Sequence, residues 1–505
     1  MSMKKSVFIL FIISCISVNS VRAAGEQDRG IEKAQKLYWF IPDGMRAEPD
    51  LFQVFEWARE GKLPNIKKMM ENGSYGYCIP NFPSHTPVNF ACLLTGASPR
   101  THGVADGPMR VVGRPLDRVA VGGFNSAAKK VPPIWVNLEE SGKDVVLLSM
   151  PGSTPPELEK GVTVRGRWGG WGADLHALNF QSKGDMTAKQ KQGRASRLFF
   201  FGPHLTRYID IAAAKDWIDA PESYSEPLEA VLNGWNADIY AYIYDSKDDR
   251  KQNYDRIAFS MDRKNIISDI AEGDWSDWSP LTVKWQGKDV DTDVKIRVIK
   301  LNIEELGNNG FFRIRCFYNN LNMYLSKPAS AAKDLIENVG PMVDFVDNFP
   351  PQLIYYPEDK KVFLEEADMS FEWHKKATGY ILDEYAPDVY IHDIYTPNQM
   401  LTSRWWMGYI DPISKRYGDV KKKERKQLWS EVRDMYRKLD DIVGEYLKRA
   451  DEKTLVVLSS DHGAVPLNKW VRLNNLFAKE GLLKFYIDEK TGTCSRLEEF
   501  KGYLP

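Results

Sequence analysis

Three short apolar runs, each cut off by a polar turn, frame the chain. Lys36-Leu37-Tyr38-Trp39-Phe40-Ile41 stops at Pro42-Asp43-Gly44, and Asp144-Val145-Val146-Leu147-Leu148-Ser149 and Thr454-Leu455-Val456-Val457-Leu458-Ser459 have the same form. Unbroken runs of this length predict strands buried on both faces, as parallel sheets require. Ahead of the last run, Leu428, Val432, Met435, Leu439, Ile442, Val443 and Tyr446 recur at helical spacing. They predict an amphipathic helix whose solvated start is the charged run 421–426. Strand, helix and strand in this order predict an α/β fold with a doubly wound, mostly parallel sheet.

The texture changes between about 200 and 370. Lys295-Ile296-Arg297-Val298-Ile299 and Phe312-Arg313-Ile314-Arg315 alternate apolar and polar residues, which predicts half-exposed antiparallel strands. The expected division is a first core segment at 34–200, an inserted and largely β cap at 201–375, and a second core segment at 376–505. That second segment is read as open to truncation at its C-terminal end.

The first 23 residues predict an export signal: Lys4 and Lys5, an apolar run from Val7 to Ile16, then small residues up to Ala23 and Ala24. An exported protein, periplasmic or secreted, follows. A lipoprotein with Cys15 lipidated, or an N-terminal anchor, is the alternative, although the run is shorter than the about 20 residues of a membrane span. Removing the signal leaves Cys78, Cys92, Cys316 and Cys494, whose spacing matches no zinc cluster and favours buried thiols over pairs.

Charge changes the picture little: 68 Lys plus Arg nearly cancel 69 Asp plus Glu, so no global field points to nucleic acid or an anionic membrane. Any phosphate chemistry must come from a local site. Three strand-end motifs offer one. Asp43 would sit where open α/β sheets bind ligands, at the carboxyl end of a strand. In Phe82-Pro83-Ser84-His85-Thr86-Pro87-Val88-Asn89, Thr86 before Pro87 predicts a helix start capped by the threonine, and a helix amino end attracts anions. Ser459-Ser460-Asp461-His462-Gly463 places a carboxylate and an imidazole side by side, a donor pair that suits zinc.

Together these motifs resemble the alkaline phosphatase superfamily, and its type I phosphodiesterase / nucleotide pyrophosphatase branch in particular. The spacing Thr86-x-x-Asn89, Thr95-Gly96, Pro99 and His102-Gly103 carries the resemblance, with Ile134-Trp135, Gly142-Lys143-Asp144, Pro151-Gly152, Asn474-Asn475-Leu476 and Gly481-Leu482-Leu483 in support. It covers about 36–175 and 380–485. The resemblance implies a metal-dependent hydrolase of small phosphate esters or nucleotides, with Thr86 as nucleophile passing through a phospho-threonine and Asn89 contacting substrate. It implies zinc, one ion or two, with Asp43, Thr86, Asp393, Asp461 and His462 as ligands. The sulfatase branch is set aside, because Thr86-Pro87-Val88-Asn89-Phe90 lacks the Cys/Ser-x-Pro-x-Arg pattern.

The second metal site departs from the family pattern. Four residues after Asp393, where the family has histidine, stands Pro397, and the adjacent His392 would point to the opposite face of a strand. Three alternatives follow: binding of a second ion by Asp393 with groups such as Gln399, a phosphotransferase of the same superfamily, or a catalytically inactive metal-binding homologue. Asp106 stands near where the branch places an asparagine. The segment Arg165-Gly166-Arg167-Trp168-Gly169-Gly170-Trp171-Gly172 has two readings, a clamp for a phosphate with an aromatic ring to stack a base, or an aromatic-rich flexible loop, and the loop is favoured.

Overall fold

The computed structural model describes residues 33–109, 121–167, 169–182, 206–303, 310–344, 357–403, 405–469, 471–482, 487–488 and 493–494. The export signal expected at 1–23, Trp168 and His204 lie outside them.

Alternate residues of the Lys36–Pro42 strand feed two apolar clusters, as a strand buried on both faces must. Tyr38 and Phe40 pack with Leu439, Ile442 and Tyr446 of the Lys422–Arg449 helix, and Ile41 packs on the other face with Phe90, Leu94 and Trp135. All seven apolar positions predicted for that helix are buried. The sheet runs Ser326–Lys327, Val162–Val164, Val145–Leu148, Val389–Ile394, Lys36–Pro42, Thr454–Leu458. Five strands are parallel, and Ser326–Lys327 is antiparallel at one edge. The fold is therefore α/β. Lys36–Pro42 lies between Val389–Ile394 and Thr454–Leu458, so the carboxyl ends of three adjacent strands bring Asp43, Asp393 and Asp461 to one rim.

A β-rich region spans 178–318. One five-stranded antiparallel sheet takes in Ile211–Ala213, Leu228–Gly234, Ala237–Tyr244, Arg256–Ser260 and Ile266–Ala271. A second five-stranded sheet, mixed because its last two strands pair in parallel, takes in Ser279–Trp285, Lys288–Asn302, Phe311–Tyr318, Leu178–Ser182 and Thr206–Ile209. Leu232, Ile243, Phe259, Val283, Ile296 and Ile314 share the cluster between them. The helices Ala329–Asn338, within the segment expected as cap, and Pro357–Tyr380, which runs past its expected end at 375, place Leu335, Phe363 and Phe371 in the same cluster as Tyr38 and Phe40.

The expected half-exposure of the alternating strands needs correction. Arg297, Arg313 and Arg315 are buried, paired with Glu365, Asp359 and Glu366 of the Pro357–Tyr380 helix. The polar face of this sheet meets an acidic helix instead of water, and each buried guanidinium has its carboxylate. Cys78, Cys92 and Cys316 are free thiols, and among the described residues no helix is long and apolar enough to cross a membrane.

Candidate active site

Two strand-end loops are stitched together at the rim. The Ser460 hydroxyl donates to the Pro42 carbonyl at 2.8 Å, and the Gly44 amide donates to Asp461 Oδ1 at 3.1 Å. Gly44 has φ +65°, and a Cβ there would stand 2.8 Å from that of Asn398, so only glycine fits this turn. The turn holds Asp43 fully buried beside Asp461 and His462, with potential ligand atoms of all three within 4.8 Å of one another.

Both oxygens of Asp43 and Oδ2 of Asp461 are buried without an aligned hydrogen-bond donor. Burial, then Asp461 and Asp393, push the Asp43 carboxyl well above its usual range, while Arg167 and the Thr86 hydroxyl draw it back. Burial likewise raises Asp461, opposed mainly by His462. Carboxylates crowded like this are costly to keep ionised unless a cation joins them. His462 is prepared for the same role. Its Nδ1 lies 2.7 Å from the Gly463 carbonyl, an acceptor for a proton on that nitrogen, an arrangement that would free Nε2 to take a metal. Nε2 stands 3.6 Å from Asp43 Oδ1 and 3.2 Å from Asp461 Oδ2. Two carboxylates and one imidazole are a donor set that fits zinc.

Thr86 is the first residue of the Thr86–Thr95 helix, not its cap: His85 holds that position and no side chain caps the free amides. The hydroxyl expected to cap is turned to the site, where Oγ1 lies 3.0 Å from His462 Nε2. Asn89, the expected substrate contact, is buried and engaged locally. Its amide nitrogen faces the carbonyls of Asn81, Pro83 and His85, and its Oδ1 accepts from the Asn81 amide at 2.7 Å. It thereby braces the loop that delivers Thr86. His85 pairs with Asp106 at 2.5 Å.

Asp393 lies on the same rim but outside the triplet, facing Arg167. Its Oδ2 stands 2.6 Å from Arg167 Nε as an ionic contact, while that N–H donates to the Ser149 carbonyl at 3.1 Å. Burial raises the Asp393 carboxyl well above its usual range, and Arg167 opposes this. His392 points away, as strand alternation predicts, to His374 Nδ1 at 2.8 Å and Tyr446 Oη at 2.9 Å. Gln399 is buried.

Arg165 and Arg167 come from the stretch whose favoured reading is a flexible loop, and Asp344 is the residue that sequence reading missed. Arg167 Nη2 donates to Asp344 Oδ1 at 3.0 Å, and Arg165 binds the other oxygen of Asp344 and Oδ1 of Asp174. Glycine here means close packing instead of flexibility. A Cβ on Gly166 would stand 2.5 Å from Thr154 Cγ2, and one on Gly169 2.1 Å from Thr154 Oγ1. Two arginines alternating with such glycines were the available signal.

Fold and site together define an α/β protein with a candidate carboxylate–imidazole metal centre beside a helix-terminal hydroxyl. The family model of type I phosphodiesterase / nucleotide pyrophosphatase matches residues 39–270 and 282–499, and the chain belongs to that family. This places it in the corresponding branch of the alkaline phosphatase superfamily and, broadly, among phosphoester-cleaving enzymes. No curated protein and no solved structure matches the chain.

Proposed function

We propose that the protein hydrolyses small phosphate esters of the diester or nucleotide pyrophosphate kind, with Thr86 as nucleophile. The observation that carries this reading is the 3.0 Å approach of Thr86 Oγ1 to His462 Nε2, at the edge of three buried carboxylates. Asp43, Asp461 and His462 would hold a zinc ion with Thr86 Oγ1 beside them. When bound, the metal supplies Lewis-acid stabilisation of negative charge on the nucleophile and phosphoryl oxygens.

The chain's own residues carry the rest. Thr86 gives up its hydroxyl proton to water, its oxygen bonds to phosphorus, and the phosphorus–oxygen bond to the leaving group breaks on the far side, that oxygen taking a proton from water to depart as alcohol or phosphate. Water then cleaves the phospho-threonine and restores the hydroxyl. Free amides at the amino end of the Thr86–Thr95 helix favour the anion at this place. We read the parallel sheet as a doubly wound core built from 34–200 and 376–505, with 201–375 as an insertion covering it. We also read the protein as exported, acting on small molecules or nucleotides.

The test is zinc-supplemented hydrolysis of bis(4-nitrophenyl) phosphate by the full chain and by Thr86→Ala. The variant should lose at least about 10³-fold in rate, as expected when a nucleophile is removed. Full activity in Thr86→Ala overturns the reading.

A further inference from the structure

We infer that Arg167 is the second cation of this site: held on Asp393 and Asp344, its guanidinium binds a non-bridging oxygen of the transferring phosphoryl group, and the chain works with one metal ion. The inference rests on the function proposed above and, of the two readings of the 165–172 stretch, takes up the phosphate-binding one and gives it to a single side chain.

The first observation is how firmly the guanidinium is placed. It is fully buried, with Nη2 on Asp344, the Nε–H on the Ser149 carbonyl, and Cζ 4.9 Å from the centre of the Tyr395 ring. Asp344 in turn is fixed by Arg165 and receives the Ser149 hydroxyl at 3.2 Å, which makes it a positioning residue. Gly166 and Gly169, pressed on Thr154, leave the backbone little freedom.

The second observation is what has been left unmade. Arg167 Nη1 is buried without a hydrogen-bond partner. A buried charged donor with nothing to bind is costly, and a phosphoryl oxygen is the acceptor that guanidinium geometry matches.

The third is charge. Asp43, Asp393 and Asp461 are three buried carboxylates at one rim. One divalent ion and one guanidinium balance these three, with Asp344 matched by Arg165. A second divalent ion on Asp393 would have only Oδ1 to itself and would be repelled by the guanidinium, whose Nε is already 2.6 Å from Oδ2. His392, the nearest imidazole in sequence, faces the other side of the sheet.

Native mass spectrometry of the full chain, saturated with zinc and freed of loose metal, should find one ion per chain. Calorimetric titration with inorganic phosphate should show binding about 10- to 100-fold weaker in Arg167→Gln than in wild type, the loss expected for one charged hydrogen bond, with the single ion retained. Two ions in the wild type overturn the inference and leave the metal-dependent reading standing. Equal phosphate affinity in a folded Arg167→Gln also overturns it. No ion at all removes the metal reading itself, and this inference with it. Should Arg167→Gln fail to fold by circular dichroism, the wild-type stoichiometry decides alone.

Discussion

Thr86 and His462 are separated by 376 positions in the chain, yet Oγ1 and Nε2 lie 3.0 Å apart. Nδ1, on the other side of the ring, lies 2.7 Å from the Gly463 carbonyl. The hydroxyl therefore stands beside the nitrogen that a metal would use. Thr86→Ser keeps an oxygen at this place and should retain measurable hydrolysis of bis(4-nitrophenyl) phosphate, at a rate well above that of Thr86→Ala. Identical rates for the two variants would show that the oxygen has no part in the reaction.

Metal should bind the folded protein and so stabilise it. With free zinc at about 100 times its dissociation constant, linkage gives about 2.7 kcal/mol, a rise of a few degrees in Tm over the metal-stripped chain. Asp461→Asn removes one of the three ligands and should abolish most of that rise. A rise of the same size in this variant would place the metal elsewhere.

His374 is buried beside Asp344 and His392, and burial holds its pKa below the ordinary value of 6.5, only partly offset by Asp344. The folded state thus keeps the ring neutral while the unfolded chain takes up a proton below about pH 6.5. Stability contributed in this way is complete above that pH and declines as the pH falls toward the folded-state value. The slope is at most about 1.4 kcal/mol per pH unit for this one group. Urea unfolding at pH 7.5 and 5.5 should show a smaller decline in His374→Gln than in wild type. An unchanged difference between the two pH values would refute this.

Arg315 and Glu366 form a buried ion pair between the β-rich region and the Pro357–Tyr380 helix, with Nη2 donating to Oε2 at 3.0 Å. Removing one partner strands the other charge in the interior, so Arg315→Met should cost about 3–5 kcal/mol. The double variant Arg315→Met, Glu366→Leu should recover much of this, because no isolated charge remains. Chemical denaturation of both decides, and a double variant no more stable than the single one would argue against the pairing.

The local elements were legible because their causes are local. The Lys422–Arg449 helix follows from seven apolar residues at helical spacing, and the Lys36–Pro42 strand from an unbroken apolar run that a polar turn ends. Asp43, Thr86, Asp461 and His462 could be nominated from strand-end and helix-start chemistry together with the family resemblance. The Val162–Val164 and Ser326–Lys327 strands could not: three and two residues carry no period. Nor could the burial of Arg297, Arg313 and Arg315, since alternation looks the same whether water or an acidic helix covers the polar face.

The sequence by itself determined which side chains lie on which face of each element, including the opposite aims of His392 and Asp393, because strand and helix periods are properties of the backbone. Only the tertiary structure decided what those faces meet. It set Arg167 between Asp393 and Asp344 and turned Asn89 onto its own loop, because such contacts depend on which strand ends become neighbours in the sheet. That order, with Lys36–Pro42 placed between two strands from the far end of the chain, is fixed by packing over hundreds of residues and leaves no trace in a local pattern.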